Sequence, residues 1–286
     1  MATPVTVLGN GAIGSLCAGR LARHGHPVTL LGRYGPVAEV RLDGDTITLK
    51  PGQAPALLLV CVKAYQVETA LAPLLPALPA DIPIVLMHNG LGPHLWVQAN
   101  CPNPLVLAST THGALKDELG VHHTGWGQCW YGSAGARPNP AQQAQIHNLL
   151  NIAQPQALPF DNVFEPLWWK LAINALINPL TARDGVRNGE LCQASYRTEL
   201  EALAGELAPV MQAEGIDAST EAILARTLQV ARQTAANQSS MLRDRLAGRP
   251  TEIAFINGYI CDRAEQRGLD APRHRQLVVA IEALCP

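Results

Sequence analysis

The chain has 286 residues, 48% of them hydrophobic and 15% charged, with a formal net charge of −2. That length suits one large domain or two ordinary ones, and the balance is globular. The near-neutral charge offers no bulk attraction to nucleic acid or to an anionic membrane, and no apolar run approaches the ~18 residues of a spanning helix.

Seven cysteines, at 17, 61, 101, 129, 192, 261 and 285, are scattered and include no C-x-x-C pair. This argues against a disulfide framework or a zinc site and suits a reducing compartment. With no basic leader or cleavage site ahead of the first strand-like run, a cytoplasmic protein is expected.

In chain order, residues 4–8 read as a short buried strand. The loop Gly9-Asn10-Gly11-Ala12-Ile13-Gly14 follows, then an amphipathic helix to about Arg23 and a second strand at 28–31. This is a βαβ unit. Residues 42–49 suggest a hairpin around Asp43-Gly44. The apolar runs 57–62 and 84–87 fit strands of a parallel sheet covered on both faces, and 105–107 fits a further strand. The stretch 120–132, rich in Gly, His and Trp, reads as antiparallel strands or loops. Beyond residue 163 the periodicity is helical, at 165–178, 196–214, 219–236, 252–267 and 273–284, with stops at Gly215 and Gly268. The expected class is α/β: a Rossmann-type doubly wound sheet domain over 1–163, then an all-helical domain over 164–286.

Gly9-x-Gly11-x-x-Gly14 lies between a strand and a helix, the context that raises the motif above chance. The first glycine makes the turn, the second admits a pyrophosphate, and the third lets helix and strand pack. The helix N-terminus adds amide donors. At the end of the second strand the sequence is Leu31-Gly32-Arg33, with no carboxylate to hold a ribose hydroxyl. An arginine there suits a 2′-phosphate, so NADP is favoured over NAD; a solvated loop arginine is the alternative. Lys63 and His88-Asn89-Gly90 follow two apolar strand runs, at the edge where open parallel sheets bind ligands. Either group also fits an ordinary loop.

Lys170, Asn174 and Asn178 form one polar stripe on a helix whose other residues from 167 to 177 are apolar. Such a helix is expected to be buried nearly all round. Two readings of the stripe stand. A buried ammonium with two amides is costly unless a polar ligand satisfies it; alternatively, the lysine snorkels and the amides bond to neighbouring turns. The chain has four lysines against seventeen arginines, which makes a lysine inside an apolar helix more suggestive. His122-His123 would point to opposite faces of a strand, and no cluster suggests a metal.

These segments together resemble the ketopantoate reductase (2-dehydropantoate 2-reductase) family over nearly the full chain. The resemblance rests on the glycine loop, Val62-Lys63-Ala64, His88-Asn89-Gly90, Thr110-Thr111-His112, and the run 171–182 with its Asn-Pro-Leu-Thr-Ala ending. Asn188-Gly189-Glu190-Leu191, Ser239-Ser240-Met241-Leu242 and Thr251-Glu252-Ile253 complete it.

The resemblance implies NADPH-dependent reduction of 2-dehydropantoate to (R)-pantoate on the route to pantothenate. It makes Lys170 the proton donor and Glu252 a second essential group that also meets the cofactor. Asn89, Asn174, Asn178, Asn188 and Ser240 would contact substrate, with Asn89 also beside the nicotinamide. Asn237, one turn before Ser240, would join them. Arg33, Lys63 and the glycine loop (Gly9, Asn10, Gly11, Ala12, Ile13, Gly14) would hold the cofactor, and Ala114 would add a backbone contact.

Trp169 departs from the family, which often has a basic residue there. The implied partner is a small 2-oxo acid, with a homodimer left open. Two alternatives stand beside it: a related reductase of another 2-oxo acid or an imine, and a non-catalytic NADPH sensor that would have no need of Lys170 with Glu252.

Overall fold

The computed structural model describes residues 2–52 and 54–285, which divide into two units. One comprises Met1–His88 and Pro93–Val163; the other comprises Asn89–Gly92 and Phe164–Pro286.

The first unit opens with β1 (Val5–Leu8), α1 (Ala12–Arg23), β2 (Val28–Gly32), β3 (Gly35–Val37), β4 (Glu39–Leu42) and β5 (Asp45–Thr48). Next come β6 (Leu57–Val60), α2 (Val67–Leu71), β7 (Ile84–Met87), α3 (Pro93–Asn100) and β8 (Leu105–Thr110). It ends with β9 (Gly113–Asp117), β10 (Gly120–Gly125), β11 (Cys129–Ser133), α4 (Pro140–Ala153) and β12 (Ala157–Pro159).

The main sheet has the order β12-β11-β8-β7-β6-β1-β2-β3. Its centre, from β8 to β2, is parallel, while β3 and β11 join antiparallel to β2 and β8. All residues of β6 and β7 are buried, which is why both read as unbroken apolar runs. Chain order reverses between β1 and β6, so the switch point, where such sheets bind ligands, lies at the carboxyl ends of these two strands.

A second sheet, β5-β4-β10-β9, includes the expected Asp43-Gly44 hairpin. Both turn residues have positive φ, 51° and 93°, as a two-residue type I′ turn requires. The core packs Leu16 and Leu21 of α1 against Val28, Leu30, Leu57 and Leu59 of the sheet. Each such side chain contributes roughly 1.5–3 kcal/mol on burial.

The second unit is helical: α5 (Phe164–Asp184), a 3-10 turn at Asn188–Cys192, α6 (Ala194–Ala213), α7 (Thr220–Gln233), α8 (Ser240–Leu246), a π-helical stretch Ala254–Gly258, α9 (Tyr259–Gln266) and α10 (Pro272–Leu284).

Two expectations need correction. The helix expected to end at 178 runs to Asp184, straight through Pro179. Proline has no N–H, so the carbonyl of Ala175 loses its α-helical partner; the buried Asn257 Nδ2 takes its place at 3.0 Å. Nor is α5 buried all round: Trp169, Lys170, Ile173 and Asn174 are only half-buried, so the polar stripe lies along a partly open face. The region 252–267 is helical as expected, its first turns being the π-helical stretch that carries Asn257.

Candidate active site

In the first unit the glycine loop follows β1 into α1. Gly9 adopts φ +109°, and a Cβ there would lie 2.9 Å from Cys61 and Val62 at the end of β6. A Cβ on Gly14 would meet the Gly9 carbonyl oxygen at 1.8 Å, so helix and strand close only around a bare Cα. Around Gly11, by contrast, a Cβ would meet nothing within 4 Å. This is the open cradle a pyrophosphate needs. The first turn of α1 carries no acidic residue to cancel its positive end. These residues therefore fit a dinucleotide.

Asn10 lies against the end of β2, since a Cβ on Gly32 would sit 2.7 Å from its amide nitrogen. Arg33 follows Gly32 in the exposed turn to β3. The loop and the arginine are thus at neighbouring strand ends, as parallel pairing of β1 with β2 requires. Lys63 lies three residues past β6, its backbone held by Gln66: Lys63 N–H donates to Gln66 Oε1 at 3.2 Å and Gln66 N–H to the Lys63 carbonyl at 2.8 Å. Ala114 is on β9, an edge strand that keeps one row of backbone groups outside the ladder.

The second unit gathers the other group. Asn89 Nδ2 donates to Glu252 Oε2 at 3.3 Å across 163 positions of sequence. The approach is set by Gly90, at φ +77°, where a Cβ would lie 2.4 Å from the Phe255 carbonyl oxygen; that carbonyl accepts from Leu91 N–H at 2.9 Å. Glu252 is 4% exposed and lies two residues before the π-helical stretch, a local geometry common at functional sites. Asn257 then ties that stretch to α5 at Ala175, next to Asn174.

Along α5 the stripe is graded, with Lys170 and Asn174 half-buried and Asn178 6% exposed. Among the described residues no protein group hydrogen-bonds the side-chain amide of Asn174 or Asn178. Those amides are therefore not engaged in bonds to neighbouring turns, and they remain open to a polar ligand or to water.

One turn beyond Asn178, Thr181 Oγ1 donates to Ser239 Oγ at 2.7 Å, and Ser239 Oγ in turn caps α8 by accepting from Leu242 N–H at 3.1 Å. Ser239 is therefore consumed by the fold, while half-buried Ser240 opens the helix beside it. Asn188 N–H donates to the Asn237 carbonyl at 3.0 Å and Asn188 Nδ2 to Thr234 Oγ1 at 2.9 Å, leaving the buried Asn188 Oδ1 without a protein partner. Asn237 itself is exposed and meets Asn188 through its backbone.

Where Trp169 breaks the expected pattern, the Arg226 guanidinium stacks 3.6 Å from the ring centroid, so a cation reaches that position from α7. Sequence reasoning missed Thr181, Ser239, Thr234 and Asn257, which place the polar groups rather than face a ligand. It also missed Lys116, which reaches the glycine loop from β9.

The switch point and the glycine cradle define a dinucleotide-binding protein of the Rossmann class with a helical second unit. The chain belongs to the ketopantoate reductase PanE/ApbA family: residues 5–136 match that family and residues 162–284 its C-terminal domain. It is 39% identical to a 2-dehydropantoate 2-reductase from Vibrio cholerae, over 98% of this chain and 97% of that one. A probable 2-dehydropantoate 2-reductase from Bacillus subtilis superposes with a TM-score of 0.79 at 27% identity, covering 98% of this chain and 99% of that one. D-mandelate dehydrogenase bound to NADH gives a TM-score of 0.85 at 21% identity, covering 98% of this chain and 97% of that one. At that identity the likeness speaks only to the fold.

Proposed function

We propose that this protein reduces 2-dehydropantoate to (R)-pantoate with NADPH, the first unit serving as cofactor domain and the second as substrate domain. The observation that carries the reading is the Asn89–Glu252 bond in the same unit as the graded stripe of α5, with Asn257 tying the segment after Glu252 to α5 at Ala175. A nucleotide sensor has no use for that assembly.

When bound, NADPH supplies a hydride to the C2 carbonyl of the 2-oxo acid. The protein supplies the proton and the positioning. Lys170 Nζ donates a hydrogen bond to the carbonyl oxygen, stabilises the negative charge developing there, and delivers its proton to the alkoxide. The neutral amine recovers a proton from solvent. Glu252, fixed by Asn89 Nδ2, orients the lysine and the substrate hydroxyl. Asn174 and Asn178 bind that hydroxyl, and Ser240 donates to the substrate carboxylate. Asn188 presents Oδ1 to the same ligand, with Asn237 beside it. Asn89 and Glu252 would also help to hold the cofactor. Gly9, Asn10, Gly11, Ala12, Ile13 and Gly14 cradle the pyrophosphate, Arg33 pairs with the 2′-phosphate, Lys63 adds a cation, and Ala114 offers a backbone group.

A cytoplasmic location is proposed with this reading. A homodimer is proposed with it, to be read by sedimentation.

The decisive experiment follows NADPH oxidation with 2-dehydropantoate, with analogues lacking the terminal hydroxyl, and with imines. Lys170→Ala is expected to leave NADPH affinity intact and cut turnover ~10²-fold or more. Near-normal turnover in that variant refutes the assigned role, and preference for another 2-oxo acid or an imine moves the protein to that substrate.

A further inference from the structure

Lys116 lies on β9, outside the family motifs and far in sequence from the glycine loop. Its Nζ donates to the Asn10 carbonyl at 2.6 Å and to Ser15 Oγ at 3.3 Å. Ser15, 2% exposed at the start of α1, itself donates to the same Asn10 carbonyl at 3.0 Å. Both acceptors are neutral oxygens. An ammonium has three N–H donors, so one remains after these two bonds. Among the described residues no carboxylate lies within ion-pair distance of Lys116, and the first turn of α1 holds no acidic residue. The neighbouring Asp117 instead accepts from the backbone of Leu119 and Gly120 and from His122. Burial pushes the Lys116 pKa down, as expected of an ammonium partly removed from water without a counter-charge.

A fixed cation and the positive end of α1 therefore meet at one loop with no protein anion beside them. A role confined to propping the loop open needs only a neutral donor, such as an amide, and makes no use of the charge. Gly11, whose Cβ direction is open, marks the same loop as the place where a diphosphate approaches backbone.

We propose that Lys116 is a cofactor-binding residue that gives its third N–H and its charge to the pyrophosphate of NADPH. This rests on the dinucleotide-dependent reading above. It assigns Lys116 to the pyrophosphate, common to NADPH and NADH, and so separates it from Arg33, assigned to the 2′-phosphate.

The test is calorimetric titration of NADPH, NADH and adenosine 2′-phosphate, which lacks the pyrophosphate, into the wild type, Lys116→Met, Lys116→Arg and Arg33→Ala. Loss of a charge-assisted bond in Lys116→Met is expected to weaken NADPH and NADH by the same factor, about tenfold. Adenosine 2′-phosphate should bind Lys116→Met as it binds the wild type, and Lys116→Arg should recover most of the dinucleotide affinity. The salt dependence of log Kd for NADPH should become shallower in Lys116→Met, because one ion contact is gone. Unchanged NADPH affinity in Lys116→Met overturns the proposal. So does an equal loss for adenosine 2′-phosphate, which would mark the lysine as a prop for the loop. A wild type that turns over NADPH while Lys116→Met binds it normally overturns this proposal alone; a wild type that binds neither dinucleotide overturns the reductase reading as well.

Discussion

Arg33 sits in an exposed turn, one residue past the end of β2, where its guanidinium can face a phosphate while remaining largely solvated. A pair of that kind tells two cofactors apart without adding much stability. Arg33→Ala is therefore expected to raise the KM for NADPH roughly tenfold, on the scale of one charge-assisted pair, and to leave the KM for NADH nearly unchanged. Steady-state kinetics with both cofactors checks this, and equal effects refute the 2′-phosphate role. The place of Arg33, one residue past the end of β2, was legible because strand spacing alone sets it. Lys116 was not. Nothing in its own segment refers to the glycine loop, and only the pairing of β9 with β10 and the packing of that sheet bring its Nζ to Asn10. Thr181 and Ser239 are similar: each reads locally as a helix-end residue, and their mutual bond exists only because α5 and α8 pack together.

At the scale of elements, α5 shows how a local rule is overridden. Proline inside a helix costs ~3 kcal/mol or more, because it removes a hydrogen bond and crowds the preceding turn. Here Asn257 Nδ2 donates to the Ala175 carbonyl and also lies 3.0 Å from His274 Nδ1. His274 Nε2 lies 3.1 Å from the Leu203 carbonyl and so carries the proton, leaving Nδ1 as the acceptor. Asn257 thus joins the π-helical stretch, α5 and α10 in one buried chain of bonds. Asn257→Ala leaves a buried carbonyl and a buried imidazole nitrogen unpaired. It is expected to destabilise the protein by about 1–3 kcal/mol, visible as a lowered thermal midpoint, while the KM for NADPH stays unchanged. A midpoint equal to that of the wild type would show that α5 tolerates Pro179 without this support. Asn257 itself stood outside the expected site because a single asparagine in an apolar helical run carries no sign of which carbonyl it serves.

At the scale of the whole molecule, His274 couples folding to pH. It is fully buried, and desolvation lowers its pKa to about 4 from 6.5. The unfolded chain binds a proton below about 6.5 that the folded chain refuses until about 4, so the unfolded state gains protons first. Stability is therefore unaffected by this group above pH 6.5 and falls as pH drops from 6.5 towards 4. At one pKa unit per 1.36 kcal/mol, the loss approaches about 3 kcal/mol at the acid end. Urea unfolding between pH 7 and 4.5 should show that decline in the wild type and a flatter profile in His274→Gln; parallel profiles would exclude His274 as the cause. Among the described residues no helix is long and apolar enough to cross a membrane.

Periodicity and punctuation alone determined the α/β sheet followed by helices, the glycine loop, the Asp43-Gly44 hairpin and the stripe of α5. These depend on neighbours a few residues apart, and backbone sterics and amphipathic burial act at that range. Whether the stripe was chemistry or a satisfied core could not be decided at that range. What only the tertiary structure decided is which distant segments meet: Asn89 with Glu252, Asn257 with Ala175, and Lys116 with the glycine loop. Each of those is a polar contact between segments distant in sequence. Its partner is chosen by how packed elements register against one another, a quantity that no single segment encodes.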